Sequence, residues 1–138
     1  MSKSRIALVV GASRGIGLAI TRQLLQQQGI QRVYASYRHP DTTAGLLDID
    51  DKRLHTVKAD VTRPETLQGI ATTIRVNGDN PDFVINAAGI LHERDLQPEK
   101  SLSQCQQDSL MRMFLVNSVG PLMLARAVIP LMPRNRKA

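Results

Sequence analysis

The run Ile6-Ala7-Leu8-Val9-Val10 passes directly into Gly11-Ala12-Ser13-Arg14-Gly15-Ile16-Gly17, and no other stretch of the 138 residues restricts the fold as strongly. A short apolar strand, three glycines and then a helical pattern with Ile16, Ile20 and Leu24 on one face read as the opening of a βαβ unit. Glycines at such a junction let the backbone turn tightly and approach a pyrophosphate. The unpaired N–H groups and the positive dipole end of the helix attract its charge. Gly11, Ser13, Gly15, Ile16 and Gly17 are therefore candidate phosphate-binding residues, acting through backbone groups and the Ser13 hydroxyl. The spacing is Gly-x3-Gly-x-Gly, which is narrower in meaning than the general Gly-x-Gly-x2-Gly loop of dinucleotide-binding folds.

Downstream, strand patterns alternate with helical ones, which argues for a parallel sheet covered by helices on both faces. The second strand is read as Arg32 to Tyr37, after Gly29 at the place of a helix C-cap glycine. The third is Leu54 to Lys58, and the polar residues His39 to Arg53 before it fit either a short helix or a loop. Thr62 with Glu65 forms a predicted capping box, Pro64 falls in the first turn, and Leu67, Ile70 and Ile74 mark the buried face of that helix. Asn77-Gly78-Asp79-Asn80-Pro81 is a dense turn signal, and Phe83-Val84-Ile85 fits a fourth strand buried on both faces. His92 to Lys100 reads as loop. A long helical pattern from about Ser103 to Met132 follows, with a kink expected at Gly120-Pro121. The expected architecture is a doubly wound Rossmann-type α/β sheet of order 3-2-1-4 in one domain, covering residues 1–138 and ending before later strands. The fourth strand then forms an open edge.

The glycine spacing, Asn86-Ala87-Ala88-Gly89 and Asn117 together resemble the short-chain dehydrogenase/reductase family, and the likeness covers essentially the whole chain. It implies hydride transfer between a nicotinamide cofactor and a small-molecule carbonyl or alcohol. It also implies that Asp60-Val61 receives the adenine ring, although Asp60 serves equally well as a turn residue ahead of Thr62. Asn86, Ala87, Ala88 and Gly89 end the fourth strand where a doubly wound sheet opens its ligand crevice, and the family uses the same segment to brace the sheet. Many members carry Thr before the first glycine; here that position is Val10, so one side-chain hydrogen bond to the loop is expected to be lost. Asn117 interrupts an apolar helical face with Leu110, Met113 and Phe114, and a buried amide without partners costs on the order of 1–3 kcal/mol, so a partner is expected. In the family the matching asparagine is catalytic, its backbone carbonyl holding a water in the relay to the active-site lysine. The family's Ser and Tyr-x3-Lys have no counterpart: Tyr34 and Tyr37 are followed four residues later by Arg38 and Asp41. The chain alone is expected to bind nucleotide and not to catalyse.

Cofactor choice turns on the tip of the second strand, where a carboxylate about twenty residues past the glycines would hold the ribose 2′-hydroxyl of NAD. The tip here is Ala35-Ser36-Tyr37-Arg38, and Arg38 with Arg14 favours NADP over NAD. The formal charge of +6 is assigned to an anionic cofactor and solvated surface rather than to nucleic acid. Arg134, Arg136 and Lys137 cluster at the C-terminus, aromatic residues are 3%, and no nucleic-acid motif accompanies the charge. The single cysteine, Cys105, reads as an ordinary helix residue with no second thiol to pair with. His39, His55 and His92 are scattered, without metal or acid–base spacing. No apolar run reaches the roughly 18 residues of a membrane span, and a cytoplasmic location is expected. Two readings stay open: the cofactor-binding portion of an NADP-dependent reductase, for which the resemblance implies self-association through the helix that carries Asn117, or a stand-alone nucleotide-binding or interaction protein that pairs through its unpaired edge and long last helix. A methyltransferase is disfavoured by the glycine spacing and by the missing acid.

Overall fold

A computed structural model describes residues 4–91 and 97–134. Among them, four parallel strands form one sheet in the order β3-β2-β1-β4: β1 is Arg5–Val10, β2 Ile30–Tyr37, β3 Leu54–Lys58 and β4 Phe83–Asn86. This is the expected 3-2-1-4 order. The period-2 alternation of β1 splits the core into two layers. Ile6, Leu8 and Val10 face one side, joined by Tyr34, by Leu67, Ile70 and Ile74 of α3 (Pro64–Val76), and by Leu124, Ala127 and Val128 of α5 (Gly120–Val128). Ala7 and Val9 face the other, against Leu24 and Leu25 of α1 (Gly15–Gln26) and Leu46 of the short helix α2 (Ala44–Leu47). The stretch between β2 and β3 thus does contain a helix, anchored by the fully buried Leu46.

Several local expectations give way to tertiary contacts. Helix α1 does not turn Ile16 inward: it is 76% exposed, and Gly17, Thr21, Leu24 and Leu25 are the buried residues. No left-handed glycine closes α1, since the positive-φ glycines are Gly11, Gly15 and Gly78. Instead the Arg53 guanidinium reaches back and donates to the carbonyls of Leu25, Gln27 and Ile30, held in place by Asp51. The predicted capping box at Thr62 is also absent. Arg63 is the N-cap of α3, without a side-chain cap bond. Thr62 is taken by Asp60, whose Oδ1 accepts from the Thr62 N–H at 2.9 Å and from its hydroxyl at 2.7 Å. Pro64 does open the helix, where its missing N–H costs nothing. Strand β4 is half-buried rather than enclosed, because among the described residues it pairs with β1 alone.

The long helical pattern begins at Gln107, leaving Cys105 exposed in the preceding turn. Helix α4 (Gln107–Phe114) runs through a π-helical segment, Leu115–Val119, into α5. The Gly120 N–H donates to the Leu115 carbonyl five residues back. The break in regularity therefore falls on Asn117 and precedes Gly120-Pro121. Pro121 has no N–H to offer the Asn117 carbonyl four residues back. By length and composition the continuous helix Gln107–Leu131 is apolar enough to cross a membrane, contrary to the expectation from shorter runs. One of its faces is seated in the core through Val116, Leu124, Ala127 and Val128, while Met111, Phe114, Leu122 and Ile129 stay exposed. Of the expected loop at His92 to Lys100, residues 92–96 lie outside the described residues.

Candidate functional site

A cavity opens where the four parallel strands end. It is lined by Val10 at the end of β1 with Gly11 and Ser13 after it, Ser36 and Arg38 at the end of β2, Ala59, Asp60 and Val61 after β3, Ala87, Ala88, Gly89 and Ile90 after β4, and Val116. A crevice beyond the carboxyl ends of parallel strands, where helices depart to opposite faces, is the place at which doubly wound sheets hold ligands. Eight of the sequence-derived candidates meet here: Gly11, Ser13, Arg38, Asp60, Val61, Ala87, Ala88 and Gly89.

The glycines divide their work. Gly11 has φ +78°, and a Cβ on it would lie 2.7 Å from the Ala88 backbone nitrogen. The glycine loop and the Ala87-Ala88-Gly89 segment can touch only because Gly11 has no side chain. A Cβ on Gly17 would stand 2.0 Å from the Gly11 carbonyl oxygen, so this glycine serves the close packing of α1 on the loop. Gly15 and Ile16 project from the first turn of α1, outside the cavity lining. Arg14 caps that helix without a side-chain hydrogen bond, and no acidic residue occupies the first turn. The N–H groups there, with the positive end of the helix dipole, are consequently open to an anion. Arg14 itself is exposed and outside the lining.

Ser36 is a residue of the candidate site that sequence reasoning missed. Its hydroxyl accepts the Gly11 N–H at 3.1 Å and its carbonyl accepts the Ala12 N–H at 2.8 Å. It thus supplies the loop support whose loss was expected from Val10. The available signal was a serine inside the apolar run of β2, 1% exposed; a buried hydroxyl requires a partner. Asp60 sits at the third strand tip. Burial by itself would raise its pKa, but the Thr62 N–H and hydroxyl, with the charges of Arg38 and Arg112, hold it below the ordinary carboxylate value. It is an ionised acceptor at neutral pH.

Asn86 lies outside the cavity lining. Its Oδ1 accepts the Ala88 N–H at 3.2 Å, so it shapes the turn that presents Ala87 and Ala88. Asn117 is exposed, not buried as the apolar pattern implied, because Leu110 and Phe114 beside it are exposed as well. Its amide nevertheless has the partner that was expected. Oδ1 accepts the Ile90 N–H at 2.8 Å and Nδ2 donates to the Ile90 carbonyl at 2.7 Å. A two-point clamp thereby ties the π-helical segment to the loop leaving β4. No cluster of His, Cys, Asp or Glu suited to a metal exists among the described residues.

The sequence profile of the short chain dehydrogenase family matches residues 5–138. An uncharacterized oxidoreductase of Staphylococcus haemolyticus is 30% identical over 127 residues, covering 91% of this chain and 52% of that protein. L-xylo-3-hexulose reductase of Hypocrea jecorina is 29% identical over 152 residues, covering 97% and 49% respectively. Among solved structures, an NADPH-bound carbonyl reductase from chicken fatty liver superposes with a TM-score of 0.81 at 27% identity, over 95% of this chain and 49% of the other. A carbonyl reductase from Pseudomonas aeruginosa gives 0.80 at 28% identity, over 94% and 57%. The chain spans about half the length of the relatives it matches.

Proposed function

The chain belongs to the short-chain dehydrogenase family, and on that premise we propose that it is the NADP(H)-binding portion of an oxidoreductase acting on a small carbonyl or alcohol substrate. The observation that carries this reading is the convergence of the glycine loop, Arg38, Asp60 and the Ala87-Ala88-Gly89 segment on one cavity at the carboxyl edge of the sheet. These residues fit a dinucleotide: the uncapped first turn of α1 suits a pyrophosphate, ionised Asp60 suits an adenine amine, and the small residues after β4 admit a ribose. Arg38 stands where a carboxylate would repel a 2′-phosphate, which favours NADP over NAD. The NADPH held by the chicken carbonyl reductase agrees with that preference.

When bound, the nicotinamide supplies the hydride. The protein's own part is to hold the cofactor's phosphates and adenine and to keep the loop after β4 in register through Asn117. The 138 residues contain no Tyr-x3-Lys pair to donate a proton to a carbonyl oxygen, so this chain binds without turning over. A second reading, a nucleotide-binding protein without turnover, rests on the same cavity. Self-association belongs to either reading and is supported by the apolar side chains exposed along α4 and α5. A cytoplasmic location is part of the proposal.

Calorimetric titration with NADPH and NADH tests it. NADPH is expected to bind at least about tenfold more tightly, the worth of one charge-assisted phosphate contact, and Arg38→Gln to remove most of that difference. Tighter binding of NADH would overturn the cofactor assignment, and binding of neither would overturn the site. Carbonyl reduction by the 138-residue chain at an ordinary enzymatic rate would refute its reading as a binder alone.

A further inference from the structure

A second, wider cleft opens beside the cofactor cavity and shares Arg38, Ala59 and Asp60 with it. Its remaining lining residues are His39, Lys58, Arg63 and Thr66. Sheet register creates this cluster. Tyr37 pairs with Lys58, and the Ala59 N–H donates to the Tyr37 carbonyl at 2.8 Å, so Arg38 and the Lys58-Ala59-Asp60 segment leave the sheet side by side. Arg63 then brings in the N-terminal end of α3, whose dipole adds positive potential.

Three permanent cations therefore line the cleft against one carboxylate, that of Asp60, which already accepts two hydrogen bonds from Thr62. Neither Lys58 nor Arg63 is ion-paired with a described carboxylate. A cleft with this balance, continuous with the adenine end of a dinucleotide site, suits a dianion attached to the adenosine ribose. Arg14, the other basic candidate, lies outside both linings.

We propose that Lys58 and Arg63 complete the subsite for the cofactor's 2′-phosphate with Arg38, so that the β3–α3 connection, rather than Arg14 of the glycine loop, selects NADP. The inference rests on the reading of the adjoining cavity as a dinucleotide site. Both side chains are exposed, so their replacement leaves the core intact.

The test uses 2′,5′-ADP and 5′-AMP, which differ by that phosphate alone, titrated into the 138-residue chain and its variants. Lys58→Gln with Arg63→Gln is expected to weaken 2′,5′-ADP by about tenfold or more and to leave 5′-AMP within about twofold. Arg14→Gln is expected to leave the ratio of the two affinities within about threefold, and Arg63→Lys to restore part of the loss at Arg63. Equal weakening of both nucleotides by the double variant would show a general field effect and overturn the proposal. So would unchanged discrimination, or its loss on Arg14→Gln alone. Failure of the parent reading looks different: the unmodified chain would then show no preference for 2′,5′-ADP over 5′-AMP, or bind neither. Far-ultraviolet dichroism of each variant checks that the fold is kept.

Discussion

Replacing Gly17 by alanine puts a methyl group where the fold has no room. The new Cβ would lie 2.0 Å from the Gly11 carbonyl oxygen, 2.8 Å from its carbonyl carbon and 3.1 Å from the Ala12 Cα, all of them backbone atoms. Relieving that overlap requires α1 and the loop to part by more than about 1 Å, since non-bonded atoms sit comfortably near 3.5–4.0 Å. The loop has nowhere to retreat: Gly11 is held by Ser36 and packs so near the Ala88 backbone that a Cβ on it would stand 2.7 Å from the Ala88 nitrogen. Overpacking usually costs about 1–3 kcal/mol, and with rigid backbone on both sides the upper end or more is expected here. Gly15→Ala is the internal control. Its φ of +53° is unfavourable for alanine, but the methyl would meet nothing within 4 Å, leaving only the left-handed penalty of about 1 kcal/mol. Urea unfolding followed by dichroism should therefore place Gly17→Ala roughly 2 kcal/mol below Gly15→Ala. At the roughly 1–3 kcal/mol/M slopes of small proteins, that is a midpoint about 1 M lower. If Gly17→Ala loses no more stability than Gly15→Ala, the assignment of Gly17 to close packing is wrong.

Two other substitutions probe the clamps outside the loop. Asn117→Ala removes both hydrogen bonds to Ile90 and, at this exposed site, should cost about 1–2 kcal/mol; the Ile90 amide should exchange with solvent faster, and unchanged exchange there would dismiss the clamp. Tyr34→Phe removes the hydroxyl of a fully buried tyrosine, which donates to Asp79 at 2.6 Å and accepts from Asn77 at 2.8 Å, with an expected loss of about 1–2 kcal/mol at neutral pH. Burial first, and the Asp79 carboxylate next, hold the Tyr34 phenol above its ordinary pKa. The native state therefore keeps its proton while the unfolded chain ionises, and the stability Tyr34 contributes drains away as pH rises above about 10. The gap between the parent chain and Tyr34→Phe should narrow from pH 9 to pH 11; a constant gap would contradict this account.

Sequence alone determined the strands, their order and most of the cavity, because those depend on local pattern. An unbroken apolar run ending in glycines can hardly be anything but a buried parallel strand turning into a helix, and right-handed crossovers then leave little choice of topology. Cavity-lining residues that follow strand ends, such as Arg38, Asp60 and Ala87 to Gly89, came with the strands. Tertiary structure decided whatever depends on a distant partner. Helical spacing marked Ile16 for the core, yet the packing of Gly17 on the Gly11 backbone, too close to admit a Cβ, fixes the rotation of α1 and leaves Ile16 in solvent. Thr62 had the sequence of a cap, but Asp60 takes its hydroxyl, and Arg53 closes α1 from 26 residues away where a glycine was expected to. Ser36 supports the glycine loop from 25 residues downstream, and Asn117 satisfies its amide on Ile90, 27 residues upstream. A hydrogen-bonding group in a folded chain takes the donor or acceptor nearest in space, and sequence spacing measures only the nearest along the chain.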